Sequence, residues 1–166
     1  MRYNKIRKMD ISNGPGIRVS IFFQGCSFHC DGCFNEDTWD FCKGLEFTDE
    51  TIEKVLDLCK EDYIVGLSML GGEPMHETNL PGSTKLAKAF KEKFPEKSLW
   101  SWTGFTYETI KDYEIFNYLD VLVDGQFKKD LFDPRLKYKG SSNQRVIDIK
   151  KSQKKGEIIL YKDEEY

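Results

Sequence analysis

Apolar residues fall into short runs and helical faces that alternate along the chain. Residues 18–24 (RVSIFFQ) form a β-branched and aromatic run closed by Gly25, which predicts a buried strand. Thr48-Asp49-Glu50-Thr51 then opens a helix. Thr48 is its N-cap, Thr51 stands at N3 in place of the Glu of a capping box, and the first turn is acidic. Ile52, Val55, Leu56 and Cys59 share one face of that helix. Residues 64–70 predict a second strand, ended by Gly71-Gly72. Residues 82–94 predict a second helix, apolar at Leu86, Ala89, Phe90 and Phe94 and stopped by Pro95. A third strand over 99–103 ends at Gly104, a broadly helical stretch follows over 107–118, and a fourth strand over 120–124 (DVLVD) ends at Gly125.

This alternation implies an α/β fold with parallel strands and crossover helices. A complete eightfold barrel takes about 250 residues, so the 166 present leave room for a partial barrel or an open sheet. The tail has another character. Residues 146–149 and 158–161 flank a basic, glycine-containing stretch, which predicts a C-terminal hairpin with a loose turn. Residues 162–166 are expected to fray. With no internal repeat or linker, 1–166 reads as a single domain.

Charge narrows the function classes. The chain has 25 Lys and Arg against 28 Asp and Glu, a net charge of −3, so it lacks the basic footprint of a general nucleic-acid binder. No apolar run approaches the roughly 20 residues of a membrane span, and the first eight residues hold no signal-peptide core. The expectation is a cytoplasmic protein without membrane contact.

Three of the five cysteines carry the sharpest chemical signal. Cys26, Cys30 and Cys33 follow the first strand with the spacing Cys-x3-Cys-x2-Cys. Clustered thiols in a reducing compartment point to a metal or redox site. A cubane bound only by protein takes four cysteines; three would leave one iron open to a small molecule, as a catalytic cluster needs. Zinc is the rival reading, with His29 or Cys42 as fourth ligand, although zinc motifs usually carry a second ligand pair. His29 reads as a loop residue and Cys59 as core, while Cys42 is either a reserve ligand or a small loop residue. Gly71-Gly72-Glu73-Pro74 follows the second strand. Taken alone it is an ordinary turn, yet it stands where α/β sheets bind ligands, and it offers backbone oxygens and one carboxylate. Residues 13–18 (NGPGIR) and 140–145 (GSSNQR) are, taken alone, a turn and a polar loop.

Together, the cysteine triplet after the first strand and Gly-Gly-Glu-Pro after the second resemble the radical S-adenosylmethionine enzymes. The finer resemblance is to the family of anaerobic ribonucleoside-triphosphate reductase-activating proteins. It is carried by residues 13–18, 25–35, Thr38-Trp39, 71–74, 102–105, 120–126 and 140–145. That resemblance implies a compact partial (β/α) barrel. It implies that Cys26, Cys30 and Cys33 bind a [4Fe–4S] cluster whose fourth iron is chelated by S-adenosylmethionine. Gly32, Cys33 and Phe34 would then lie along the adenosine, Gly72 and Glu73 would hold the methionine amino end, and Asp124 would face the same pocket. A flavodoxin-type donor would supply one electron. The resulting 5′-deoxyadenosyl radical would take hydrogen from a glycine α-carbon in the large subunit of the reductase. No side chain need act as acid or base. Three positions depart from the family pattern: Phe34 replaces a frequent Tyr, Glu73 stands where Asp is also common, and Gln126 replaces a frequent Lys, with Arg145 or Arg18 as cations to compensate. The competing functions are an activator of another glycyl-radical enzyme, a zinc-binding interaction module, and an electron carrier using Cys42 as fourth ligand.

Overall fold

The computed structural model describes residues 1–163. In chain order its regular elements are β1 (Arg2–Asp10), β2 (Ile17–Gln24), β3 (Leu45–Glu46), α1 (Asp49–Cys59), β4 (Ile64–Gly71), α2 (Leu80–Lys93), β5 (Ser98–Trp102), α3 (Tyr107–Ile110), β6 (Val121–Asp124), β7 (Arg145–Asp148) and α4 (Ile149–Lys155). The fold is mixed α/β. Among the described residues it is one seven-stranded sheet in the order β3-β1-β2-β4-β5-β6-β7 with four α-helices. The middle strands β2, β4, β5 and β6 are parallel, as the alternation predicts. β1, β3 and β7 add antiparallel edges.

Strand alternation gives the sheet two different faces. Val19, Ile21 and Phe23 of β2, Leu67 and Met69 of β4, Leu99 of β5 and Leu122 of β6 join Ile52, Val55, Leu86 and Phe90 of α1 and α2 in the main core. On the other face Trp100, Val121 and Val123 pack with Trp102, Tyr138, Val146 and Tyr161. Helices therefore cover one face only. The opposite face keeps polar groups and, toward the carboxyl ends of the parallel strands, a cavity.

Capping chemistry starts α1 as expected. The Thr48 N–H donates to Thr51 Oγ1 at 3.0 Å, so a hydroxyl does the work of the capping-box Glu. α2 begins two residues before its predicted start, at Leu80, because Pro81 fits a first helical turn. The predicted helix over 107–118 is divided into α3 and a 3-10 turn (Glu114–Asn117). Its buried residues Tyr107, Ile110, Ile115 and Phe116 contain a five-residue step from 110 to 115 that a 3.6-residue period cannot keep on one face.

The two ends of the chain differ from the expectation. β1 is not marked in the sequence because its apolar positions, Tyr3, Ile6 and Met9, are interrupted by Asn4, Lys5, Arg7 and Lys8. It forms by pairing with β2, and the cations of Lys5 and Arg7 each sit 4.9 Å from the Phe22 ring. The C-terminal hairpin has no loose turn. The basic stretch is α4, capped where Asp148 Oδ1 accepts the Lys151 N–H at 2.9 Å and ended by Gly156 at φ 70°. The return is antiparallel as expected, through an Ile147–Leu160 bridge and the Tyr161 N–H on Val146 O at 2.8 Å. Of the tail expected to fray, 164–166 lie outside the described residues, whereas Asp163 is held by Tyr138 Oη at 2.9 Å and Lys137 Nζ at 3.2 Å.

Arg18, named above as a compensating cation, is instead a fully buried cross-brace level with Gly66. Its five N–H groups all find acceptors: Ser68 Oγ, Ser98 Oγ, and the carbonyls of Pro15, Leu67 and Ser98, at 2.8–3.3 Å. Burial lowers its pKa to about 10, which leaves it charged at neutral pH. Arg18→Met strands those acceptors in the interior and is expected to cost about 3 kcal/mol in urea unfolding; a loss below about 1 kcal/mol would show that the brace carries little stability.

Candidate metal centre and ligand cavity

Three loops at the carboxyl ends of β2, β4 and β5 meet at one point. Gly25 leaves β2 at φ 107° and donates to Thr38 O at 2.7 Å, while Cys26 donates to Trp39 O at 3.1 Å. From the neighbouring strand the Gly72 N–H reaches Phe23 O at 2.9 Å and the Glu73 N–H reaches Gly25 O at 2.8 Å. A Cβ on Gly72 would stand 2.5 Å from Gly25 O, so the approach requires glycine. Asn79, fully buried just before α2, donates its amide to Gln24 O, Gly25 O and Glu73 O at 3.0–3.3 Å. Sequence reasoning passed over Asn79, because nothing near it in the chain marks it as the clamp between two loops.

Glu73 ties in the third loop. Its Oε1 accepts from Met75 N at 2.9 Å and Thr103 Oγ1 at 2.7 Å, and its Oε2 accepts from Gly104 N at 2.7 Å. The residue is 2% exposed, and burial pushes its pKa up to about 7, although the three donors pull the other way. One lone pair of Oε2 has no donor within the described residues.

These groups border a cavity of about 460 Å³, within the usual size of a small-molecule site. Cys26, Cys30, Cys33, Phe34, Gly72 and Glu73 all line it, as expected from the sequence. The floor is apolar (Phe22, Leu70 and Trp102), and two cations, Arg7 and Lys139, border it; neither was anticipated. Phe34 is 67% exposed, with Phe127 and Phe132 at centroid distances of 5.1 and 5.7 Å.

The donor set suits a thiophilic metal group: three thiols on one short loop, none in a disulfide. Burial pushes the Cys26 thiol up to about 11, and burial followed by the neighbouring Cys33 raises that of Cys30. Such thiols keep their protons until a metal displaces them. Among the described residues no three Cys, His, Asp or Glu side chains stand together as a metal-holding group. His29 lies at φ 48° with its ring stacked on Trp39 at 4.5 Å, consistent with a loop role. Cys59 is core, and Cys42 is exposed, in a separate shallow recess that also borders Cys26.

Comparison with known proteins addresses the same residues. A family model described as "4Fe-4S single cluster domain" matches residues 12–147. The anaerobic ribonucleoside-triphosphate reductase-activating protein of Enterobacteria phage T4 is 40% identical over 146 residues, covering 88% of this chain and 93% of its own. The protein of that name from Vibrio cholerae is 39% identical over 150 residues, covering 88% and 97%. The one from Escherichia coli K12 is 37% identical over 154 residues, covering 90% and 100%. The chain belongs to this family of activating proteins. That membership favours iron–sulfur over zinc at the cysteine loop. No helix among the described residues is long and apolar enough to cross a membrane.

Other expected site residues fall outside the cavity. Gly32, at φ 73°, sits against Phe127 and the Lys129 stem, and Gln126 is exposed. Asp124 also lies apart. It does not line the cavity, where its neighbour Gly125 does. It is 1% exposed and accepts from Tyr107 N at 2.8 Å and from Arg145 Nε and Nη2 at 3.0 and 2.5 Å. Arg145, the second compensating cation, also binds Glu108 and holds its carboxyl down at about 2. The triad joins β6, β7 and α3, so it turns Asp124 away from the cavity. Asp124→Ala is expected to cost about 3 kcal/mol in urea unfolding, as for a broken buried ion pair, with the iron content of the reconstituted protein unchanged. Loss of iron at unchanged stability would return Asp124 to the ligand site.

Proposed function

We propose that this chain is a radical S-adenosylmethionine activase. It acts as a single domain over 1–166 of partial (β/α) barrel type, in the cytoplasm and free of membrane and nucleic acid. Its partner is the large subunit of an anaerobic ribonucleoside-triphosphate reductase, and a flavodoxin-type protein is its electron donor. The observation that carries the reading is the meeting of Cys26, Cys30, Cys33, Gly72 and Glu73 in one cavity, in a chain whose family model is a 4Fe-4S domain.

When bound, the [4Fe–4S] cluster and S-adenosylmethionine supply one-electron chemistry that ends in removal of a hydrogen atom from a glycine α-carbon. The protein's own work is to hold and orient. Cys26, Cys30 and Cys33 ligate the cluster. Glu73, with an open lone pair on Oε2, and the Gly72 backbone would hold the cofactor's amino end, and Gly32, Cys33 and Phe34 would hold its adenosine. Asp124 contributes by positioning β7 rather than by contact. The apolar floor of Phe22, Leu70 and Trp102 keeps water from the reacting atoms. No proton transfer by a side chain is required.

Mixing the reconstituted, reduced protein with S-adenosylmethionine and the reductase large subunit should produce a glycyl radical signal in electron paramagnetic resonance. Cys30→Ala should give none. Absence of the signal with the native protein, or an equal signal on an unrelated glycyl-radical enzyme, would overturn the assignment.

Glu73 adds a pH dependence. Its pKa is raised to about 7, and an ammonium partner favours the ionised form, so binding strengthens as pH rises through 7. Affinity for S-adenosylmethionine, measured by equilibrium dialysis, should be roughly tenfold weaker at pH 6 than at pH 8. Glu73→Gln should bind weakly at both. A native affinity flat across that range would rule out the Glu73–ammonium contact.

A further inference from the structure

Trp39 presents a buried hydrogen-bond donor that nothing in the described structure accepts. Its indole Nε1 is shielded from solvent and has no partner. Buried indole N–H groups normally find an acceptor, so this position calls for an explanation. Packing alone does not give one, because the face-to-face stack of the indole on His29, 11° from parallel, could be made by Phe. The same stack keeps the in-plane nitrogens of His29 out of line with the indole N–H. The backbone of Trp39 is already employed, its carbonyl taking the Cys26 N–H at 3.1 Å. Trp39 also borders, with Cys26, Ser27 and His29, the shallow recess on the far side of the cysteine loop from the cavity. An unpaired donor thus sits in the wall of the cysteine loop, tied by its own backbone to the first expected cluster ligand. The acceptors that the loop would gain on loading are sulfurs: the Cys26 thiolate and the sulfides of the cluster.

We propose that Trp39 Nε1–H donates a hydrogen bond to a sulfur of the cluster site and thereby raises the cluster's reduction potential. The inference rests on the cluster assignment above. Hydrogen bonds to cluster sulfurs favour the reduced, more negative state. Trp39 is then a positioning and tuning residue rather than a ligand.

The test uses the reconstituted holoprotein with indole-¹⁵N tryptophan, examined by pulsed electron paramagnetic resonance in the reduced state. A ¹⁵N coupling to the cluster is expected. It should survive in Trp102→Phe, whose indole N–H is already given to Tyr138 O at 2.8 Å. Trp39→Phe should keep its iron and sulfide, lose the coupling and show a more negative midpoint potential in a redox titration. A native cluster with no ¹⁵N coupling overturns the proposal even if Trp39→Phe fails to fold, and so does a fully loaded Trp39→Phe with unchanged potential. Native protein that takes up no cluster removes this inference together with the functional reading, so the two failures are distinguishable.

Discussion

The backbone clasp in which Gly72 and Glu73 donate to the carbonyls of Phe23 and Gly25 is the constraint on which the site depends. Two parallel strands end side by side, and their first loop residues lie in hydrogen-bonding contact rather than diverging. Neither side leaves room for a side chain: a Cβ on Gly72 would meet Gly25 O at 2.5 Å, and one on Gly25 would meet the Phe41 ring at 2.2 Å. From this clasp the cysteine loop departs one way and Glu73 turns the other way, toward Thr103 and Gly104. Asn79 locks the junction from below with three amide contacts. A thiol-rich loop and a carboxylate from residues nearly fifty positions apart thereby share one cavity.

The two faces of the sheet divide the physical work. The helix-covered face buries the aliphatic residues of the parallel strands and supplies most of the hydrophobic stabilisation. The opposite face carries groups that cost free energy to bury: Arg18, Asp10, Ser20, Ser68 and Glu73. Each is met by specific partners. Asp10 accepts from Ser20 Oγ, Asn13 Nδ2 and Ser12 N at 2.6–2.8 Å, and Arg18 gives all five of its protons to neutral oxygens. Such a face resists collapse into a plain core, and a cavity for a polar ligand persists beside it.

The alternating strand and helix pattern was readable because each central element has its own local cause. The run from Val19 to Phe23 is buried on both faces, so apolar residues fill it except at Ser20, whose hydroxyl is given to Asp10. Thr48 caps α1 with chemistry confined to four residues. The elements that escaped depend on partners distant in the chain. β1 needs Phe22 beneath its cations, and α4 outcompetes a turn through the Asp148 cap and the αL Gly156. The cysteine spacing and Gly-Gly-Glu-Pro were legible for a related reason: ligand spacing and close backbone approach are local demands that leave fixed residue types.

By itself, then, the sequence singled out the cysteine triplet and the Gly-Gly-Glu-Pro loop, together with the parallel α/β plan that brings strand ends together. Tertiary structure decided where each polar side chain spends its hydrogen bonds. Asp124, Arg145 and Arg18 have the residue types of a ligand site, yet all three are consumed by structural partners, most of them 17 to 80 positions away in the chain. Glu73 keeps a free lone pair, and Trp39 keeps a free proton. Composition and spacing are blind to that division, because a hydrogen-bonding group is available for function only when no neighbour in the folded chain has already satisfied it.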